Sequence, residues 1–184
     1  MTGMDASKKT KQSDPFAHTK TISEEEHKQV FNMCGYSAPK LATVRVGFIG
    51  LGNRGPVNLD AMAYLEGVEI KALCDKRMVR VENSQKILSK HGLPPAMEYG
   101  GSDDAWMELC RNPDIDLISI AVPRGPLHAR MAVCAMENDK HVAVEAPAAS
   151  TLEEAWQLVE TSERTKKHCM MLENVNYGRE ELMF

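Results

Sequence analysis

The stretch GFIGLGNRGP, residues 47–56, decides the fold of this chain. It continues a run of apolar and β-branched residues typical of a buried strand, and apolar residues at helical spacing follow it. Gly50, Gly52 and Gly55 form the pattern GxGxxG. Between a strand and a helix, this pattern predicts a turn that binds the pyrophosphate of a dinucleotide at the helix N-terminus. The three glycines would allow a tight turn, close approach of a phosphate, and close packing of helix and strand, in that order.

Asp75 ends the next predicted strand, about 25 residues after Gly50, near the spacing of the dinucleotide-binding fingerprint. An acidic side chain there accepts hydrogen bonds from the hydroxyls of the adenosine ribose and repels a 2′-phosphate. The position therefore favours NAD over NADP. Arg77 is the opposing feature, because a basic residue there can accommodate the extra phosphate. A glycine turn with only a packing role is the alternative interpretation.

Strands and helices alternate along the rest of the sequence. We predict strands at 44–50, 68–75, 97–99, 116–123, 141–147 and 168–175, with helices at 54–65, 76–91, 105–110, 126–138 and 151–167. Parallel strands need crossover connections that cover the faces of the sheet, and helices of this length supply them. The predicted fold class is α/β, a doubly wound parallel sheet.

Composition excludes several classes of function. The net charge of -4 and the lack of a basic stripe argue against binding to nucleic acid, and no apolar run approaches a membrane span. The N-terminus has no signal-peptide core, so we expect a cytoplasmic chain as given; a removed signal would make it periplasmic or secreted. The five cysteines are widely spaced and are expected to be reduced thiols, with no metal site.

Three further segments carry a family resemblance: the VP…H segment 122–128, HVAVEAPAA at 141–149, and MMLENVNYGREEL at 170–182. With the glycine turn, they resemble the N-terminal half of a Gfo/Idh/MocA-family oxidoreductase over residues 43–184. Within that family they are most similar to the branch containing the NAD-dependent glycosidases of glycoside hydrolase family 109.

The resemblance implies a function. In the wider family a lysine usually occupies the position of Ala146 and assists proton transfer, whereas a methyl group moves no proton. The glycosidase branch also tends to lack this lysine. There, NAD⁺ oxidises the 3-hydroxyl of the sugar, elimination releases the glycosidic oxygen, water adds, and the hydride returns. The implied activity is that of an α-N-acetylgalactosaminidase-like enzyme. An NAD-dependent sugar dehydrogenase and a stand-alone, non-catalytic nucleotide-binding module are the alternatives.

The resemblance also implies a set of site residues. The expected NAD contacts are Gly50, Gly52, Asn53, Arg54, Gly55, Asp75, Gly125, Pro126, Leu127, His128, Glu145, Ala146 and Asn174. His128 has a second interpretation, as a first-turn histidine whose hydrogen bonds are all internal. Tyr177 is the candidate for substrate contact or proton transfer, with a plain surface tyrosine as the alternative. The loop 123–126, PRGP, departs from the family, which often has an aromatic residue after this first proline.

We expect three regions on the same basis. Residues 1–42 form a polar arm, largely irregular, with at most one short helix around 24–33. Residues 43–176 form the Rossmann NAD-binding domain. Residues 177–184 begin a helix that leads into a second, substrate-binding domain, which the sequence does not contain. The chain is then expected to bind NAD without turning over substrate alone; the full-length enzyme would bind a sugar or glycoside and could form a homo-oligomer, with 182–184 promoting association.

Overall fold

The structure, a computed structural model of the chain, describes residues 29–123, 125 and 127–173. The strands are β1 (Val44–Ile49), β2 (Val68–Asp75), β3 (Met97–Gly100), β4 (Leu117–Ile120), β5 (His141–Glu145) and β6 (Cys169–Leu172). The helices are α1 (Gly55–Met62), α2 (Met78–Lys90), α3 (Ala105–Arg111), α4 (Leu127–Glu137) and α5 (Leu152–Thr165).

The strands form one parallel sheet in the order β3-β2-β1-β4-β5-β6. The predicted doubly wound α/β sheet is confirmed. The order reverses between β1 and β4, so the loops that leave these two neighbouring strands run to opposite faces of the sheet. A crevice opens at such a switch point, outside the carboxyl ends of the strands.

Alternation of side chains along the strands divides the core between the two faces. Val46 and Phe48 pack with Leu59 of α1, whereas Ile49 belongs to the cluster that includes Ile118 and residues of α3, α4 and α5. The register between β1 and β2 shifts after Val46, which leaves an extra residue in β2. Such a bulge turns later side chains to the other face, since strand side chains alternate with a period of two.

The part of the predicted arm that the structure describes, residues 29–42, contains no helix or strand. It is fastened to α5: the carboxylate of Glu163, itself 5% exposed, accepts the backbone N–H of Val30 at 3.0 Å. The ammonium of Lys166 lies 4.8 Å from the ring centre of Phe31. Residues 29–33 contain no helix, which agrees with the expectation of at most one short helix around 24–33; residues 24–28 lie outside the described part.

Several boundaries differ from the predictions. β4 ends at Ile120 and β5 at Glu145, earlier than expected, because the chain turns away from the sheet to form the walls of the crevice. At the start of α5, the side chain of Thr151 accepts the N–H of Glu154 at 3.1 Å, and the carboxylate of Glu154 accepts the N–H of Ser150 at 2.7 Å. Met170 and Met171 in β6 are about half-exposed, since β6 is an edge strand. They are not core residues in the described part of the chain.

Candidate functional site

A cavity of about 740 Å³ lies at the carboxyl ends of β1, β2, β4 and β5. Nine of the thirteen residues expected to contact the cofactor line it: Gly50, Gly52, Asn53, Arg54, Asp75, Leu127, His128, Glu145 and Ala146. Gly55 and Gly125 are described but do not line it. Pro126, Asn174 and Tyr177 lie outside the described residues. Most of the residues expected from the sequence therefore lie around one cavity, although they come from four separate loops, after β1, β2, β4 and β5.

The local structure explains each of the three glycines in the turn differently. Gly50 has φ of +90°, and a Cβ there would lie 2.6 Å from the carbonyl oxygen of Ala121. At Gly55 a Cβ would lie 2.0 Å from the carbonyl oxygen of Gly50, so this glycine lets α1 begin against the turn itself. Gly52 is different, because a Cβ would make only ordinary contacts of 3.6 Å or more with Arg80. Its missing side chain leaves space in the cavity.

The N-terminus of α1 faces this turn without a side-chain cap. Arg54 occupies the N-cap position, and Pro56 follows within the first turn. The leading N–H groups of a helix lack intrahelical partners and carry partial positive charge. An uncapped helix start next to the open side of Gly52 is therefore suited to an anion such as a pyrophosphate.

Asp75 holds the turn against the end of β2. Its carboxylate is 7% exposed; Oδ2 accepts the N–H of Leu51 at 2.8 Å, and Oδ1 accepts the N–H of Arg77 at 2.9 Å. An ionised carboxylate has about four acceptor positions, so capacity for a ribose hydroxyl remains. Asp75 thus has a structural role in the turn besides the cofactor contact expected of it.

Basic side chains surround Asp75 at this end of the cavity. Lys76, Arg77 and Arg80 all line it, and the guanidinium Nη1 of Arg80 lies 3.4 Å from Asp75 Oδ2. Lys76 is paired with Asp103 in the loop that follows β3. Sequence reasoning singled out Arg77 but missed Arg80. The available signal was its place in the first turn of α2, directly after the strand that ends in Asp75.

His128 connects the ends of two strands. The residue is 1% exposed, with Nδ1 2.7 Å from the carbonyl oxygen of Pro147 and Nε2 3.0 Å from that of Val122. Both carbonyl oxygens are acceptors, so each is placed to accept an N–H from the ring. This arrangement supports the interpretation of His128 as a first-turn histidine with internal partners. Contact with a cofactor stays a prediction.

Glu145 and Ala146 form the wall opposite the glycine turn. Glu145 Oε1 accepts a hydrogen bond from the side-chain amide of Asn58 at 2.9 Å, which joins the end of β5 to α1. Ala146 follows it, in the position expected to carry no proton-transfer group. Lys76, beside Asp75 at the far end, is the only lysine among the described residues that line the cavity.

Trp106 also lines the cavity, although an aromatic residue at helical spacing is predicted to be a core side chain rather than a stacking platform. Its side chain is 4% exposed and belongs to the core cluster, so the core assignment is confirmed. One side of the ring reaches the cavity wall, and the guanidinium carbon of Arg130 lies 5.6 Å from the ring centre. Helical spacing placed this ring inward but did not reveal the cavity beside it.

The described residues also bear on metal sites and membrane spans. They contain no group of three or more His, Cys, Asp or Glu side chains that could hold a metal ion. No helix within them has the length and apolar character needed to cross a membrane.

Comparison with known proteins gives the family. The sequence profile of the Gfo/Idh/MocA oxidoreductase family, NAD-binding Rossmann fold, matches residues 44–173. Glycosyl hydrolase family 109 protein 1 of Bacteroides thetaiotaomicron is 56% identical over 144 residues, or 78% of this chain and 31% of the relative. The alpha-N-acetylgalactosaminidase of Shewanella oneidensis is 47% identical over 152 residues, or 83% of this chain and 33% of the relative. The chain thus spans about a third of the length of these relatives.

Solved structures share the fold. A crystal structure of an NAD binding oxidoreductase from Klebsiella pneumoniae is 27% identical, with a TM-score of 0.61 over 77% of this chain and 37% of that one. A dehydrogenase from Chromobacterium violaceum, solved with NADH and UDP-GlcNAcA, has a TM-score of 0.66 over 79% of this chain and 39% of that one. At 18% identity, the second likeness concerns the fold alone. By its family profile and its sheet, this chain belongs to the Gfo/Idh/MocA oxidoreductases and contains their NAD-binding Rossmann fold.

Proposed function

We propose that this chain is the NAD-binding portion of an NAD-dependent glycosidase that acts on α-N-acetylgalactosaminides. The observation that carries the cofactor half of the proposal is the open space at Gly52, next to the uncapped N-terminus of α1. The observations behind the glycosidase half are Ala146 in the cavity wall and the relatives named as family 109 glycosyl hydrolases. Since the chain spans only about a third of those relatives, the whole activity is a proposal.

We assign the two halves of the dinucleotide to different ends of the cavity. The pyrophosphate would lie against Gly52 and the N-terminus of α1, at the positive end of the helix dipole. The adenosine ribose would lie at Asp75, whose carboxylate is already oriented by two backbone N–H groups. The nicotinamide would then extend toward Glu145 and Ala146, across the switch point of the sheet.

Bound NAD⁺ would accept a hydride reversibly from a carbon of the sugar. The chain's own residues would hold and orient the cofactor. Asn58 fixes the Glu145 carboxylate by a hydrogen bond of 2.9 Å, so that wall of the cavity is preorganised. The methyl group of Ala146 removes no proton from a hydroxyl, so the proton of the sugar must go to another group. Asn174 and Tyr177 stay predicted contacts of the nicotinamide and the substrate, and a homo-oligomer stays an expectation.

An NAD-dependent sugar dehydrogenase is the competing function, favoured by the likeness to the Klebsiella oxidoreductase at 27% identity. The two differ in what happens to the hydride. A glycosidase of this type returns it within each turnover, so NADH does not accumulate. A dehydrogenase releases NADH in proportion to the product.

The cofactor half is tested by calorimetric titration of the purified chain with NAD⁺. Gly52→Ala is the informative variant, because its methyl group clashes with no protein atom but fills the space left for a phosphate. We expect it to weaken binding at least about tenfold, or about 1.4 kcal/mol. Ala61→Val, on the exposed side of α1 and outside the cavity, is the matched control. Equal affinity for Gly52→Ala and the unaltered chain would contradict the proposed position of the pyrophosphate.

The reaction is tested on the full-length gene product with a chromogenic α-N-acetylgalactosaminide. Hydrolysis with catalytic NAD⁺ and no rise in absorbance from NADH is the expected result. NADH produced in proportion to an oxidised sugar, without release of the chromophore, would identify a dehydrogenase instead.

A further inference from the structure

We infer that protonation of His141 loosens the start of β6 and the part of the arm that packs beside it, so that this edge of the sheet contains an acid-sensitive switch. His141 is the first residue of β5, at the amino ends of the strands, whereas the cofactor cavity lies at their carboxyl ends. The inference therefore goes beyond the proposed function and does not depend on it.

Nδ1 of His141 is a hydrogen-bond acceptor in the folded chain. The backbone N–H of His168 donates to it at 3.0 Å. A ring nitrogen that accepts an N–H carries no proton, so the imidazole is neutral with its proton on Nε2. An imidazolium has an N–H on both nitrogens and accepts nothing. Protonation of His141 would therefore set two donors against each other, and the backbone of His168 would have to move away.

His168 connects His141 with both β6 and the arm. It directly precedes β6, and its carbonyl oxygen accepts the N–H of Val142 at 2.8 Å. The centre of its ring lies 5.3 Å from that of His141 and 5.4 Å from that of Tyr36. Tyr36 in turn meets the ring of Phe31 edge-on, with the centres 5.5 Å apart. A movement of His168 would therefore disturb the last hydrogen bond before β6 and the packing of the arm together.

The surroundings of His141 do not favour a positive charge. Among the described residues, the charged and titratable groups that face it are Lys167 and His168 ahead of β6, Asp139 ahead of β5, and Asp116 ahead of β4. Both acids are already paired with cations. Asp139 Oδ1 lies 2.7 Å from Nζ of Lys167, and Asp116 Oδ1 lies 2.7 Å from Nη2 of Arg45. Neither carboxylate is therefore free to balance an imidazolium.

The same surroundings give the direction of the pH dependence. Burial lowers the pKa of His141 from its ordinary value of 6.5, and the charges of Lys167 and His168 lower it further, against the opposing effect of the two acids. The closed form then binds fewer protons than a form in which the ring is free. The attachment is therefore complete above 6.5 and is lost as the pH falls through the folded-state pKa.

The test is hydrogen–deuterium exchange of the purified chain, followed by NMR between about pH 8 and about pH 5 and corrected for the intrinsic rate at each pH. The backbone N–H of His168 donates to His141, and that of Tyr36 donates to the carbonyl oxygen of Met33. Protection of these two amides should fall at least about threefold in acid, while the amides of β1 keep theirs.

Two substitutions at position 141 separate the acceptor from the ring. His141→Asn keeps a side-chain oxygen that accepts the N–H of His168 but takes up no proton, so protection should stay high across the whole range. His141→Phe keeps a ring without an acceptor, so protection should be low at every pH. His91→Gln removes a histidine that is paired with Asp60, at the end of a helix packed against β2. It is the matched control and should leave the pH dependence unchanged.

Three results would overturn the inference. The first is equal protection of His168 and Tyr36 at both ends of the pH range in the unaltered chain. The second is a pH dependence that persists in His141→Asn and disappears in His168→Gln, because His168 would then be the titrating group. The third is an equal loss of protection in β1, which would mean that acid unfolds the whole domain.

Discussion

The carboxylate of Asp75 accepts the backbone N–H of Leu51 at 2.8 Å, which ties the end of β2 to the middle of the glycine turn. The residue that the sequence marks as a ribose ligand therefore also maintains the shape of the phosphate site. Loss of cofactor binding after removal of this side chain has two causes, and stability measurements separate them.

Asp75→Ala should lower the free energy of unfolding by about 1–3 kcal/mol even without cofactor, because it leaves the buried N–H of Leu51 without an acceptor. Asp75→Asn keeps one carbonyl oxygen as an acceptor, so it should lose less stability while still binding NAD⁺ more weakly. Urea unfolding and calorimetric titration of both variants provide the measurements. Unchanged stability in Asp75→Ala would mean that the hydrogen bond to the turn contributes nothing.

His128→Ala should destabilise the chain in the absence of cofactor, by about 2–5 kcal/mol, because it removes a buried ring and its hydrogen bond to the end of β4 or β5. His91→Ala, which removes a histidine paired with Asp60 on the protein surface, is the control and should have a smaller effect. Thermal unfolding without NAD⁺ measures the loss of stability, and the shift in Tm on addition of NAD⁺ measures the loss of affinity. If His128→Ala changes only the affinity for NAD⁺, the histidine is a cofactor ligand and not a link between the strand ends.

Stability should fall in acid through Asp116. A side-chain hydrogen bond from Arg45 lowers the pKa of Asp116 from its ordinary value of 3.8, with a smaller contribution from the backbone N–H of Arg45. The folded chain then binds fewer protons than the unfolded one, so this stabilisation is present above 3.8 and is lost as the pH falls through the folded-state pKa.

Urea unfolding of the unaltered chain and of Asp116→Asn across this acid range measures the effect. The free energy of unfolding should depend less steeply on pH in Asp116→Asn than in the unaltered chain. Asp114→Asn is the control, since Asp114 also contacts Arg45 but is largely exposed. Identical pH dependence in Asp116→Asn and the unaltered chain would show that the pair with Arg45 adds no acid-sensitive stability.

A thiol reagent should distinguish Cys34 from Cys74, Cys110 and Cys169. Burial raises the pKa of Cys74 to about 12 and that of Cys169 to about 11, and it also raises the pKa of Cys110. These thiols stay protonated and unreactive near pH 8, whereas Cys34 is exposed. We expect Cys34 to react faster than Cys74, Cys110 and Cys169 in the native chain, and all five thiols to react after denaturation. Mass spectrometry of the labelled peptides identifies the fast one, and fast labelling of Cys74 would contradict the buried core.

The sequence predicted the fold class and most of the residues that line the main cavity, because both depend on local signals. Glycines in a turn, acid at a strand end and alternation of strands with helices are all visible without tertiary contacts. Arg80 was missed for the opposite reason. Its role depends on which way its side chain leaves the first turn of α2, and the contacts with Asp75 and Gly52 decide that direction.

His128 illustrates the same limit. Its position in the first turn of a helix was evident, but the two carbonyl oxygens beside it come from residues 6 and 19 positions away in the chain. No periodicity indicates such partners. The ends of β4 and β5 were placed too late, since apolar residues continue past the last paired residue into the wall of the cavity.

The attachment of the arm has a consequence for how this protein can vary. Glu163 accepts the peptide N–H of Val30, and the side chain of Val30 is 67% exposed. Nineteen of the twenty amino acids supply that donor, and only proline lacks it. Position 30 is therefore free to drift among related sequences, whereas the carboxylate at position 163 is not. Substitutions at position 30 would keep this hydrogen bond, whereas the contacts that Gln29 and Phe31 make with Glu163 and Lys166 depend on their side chains.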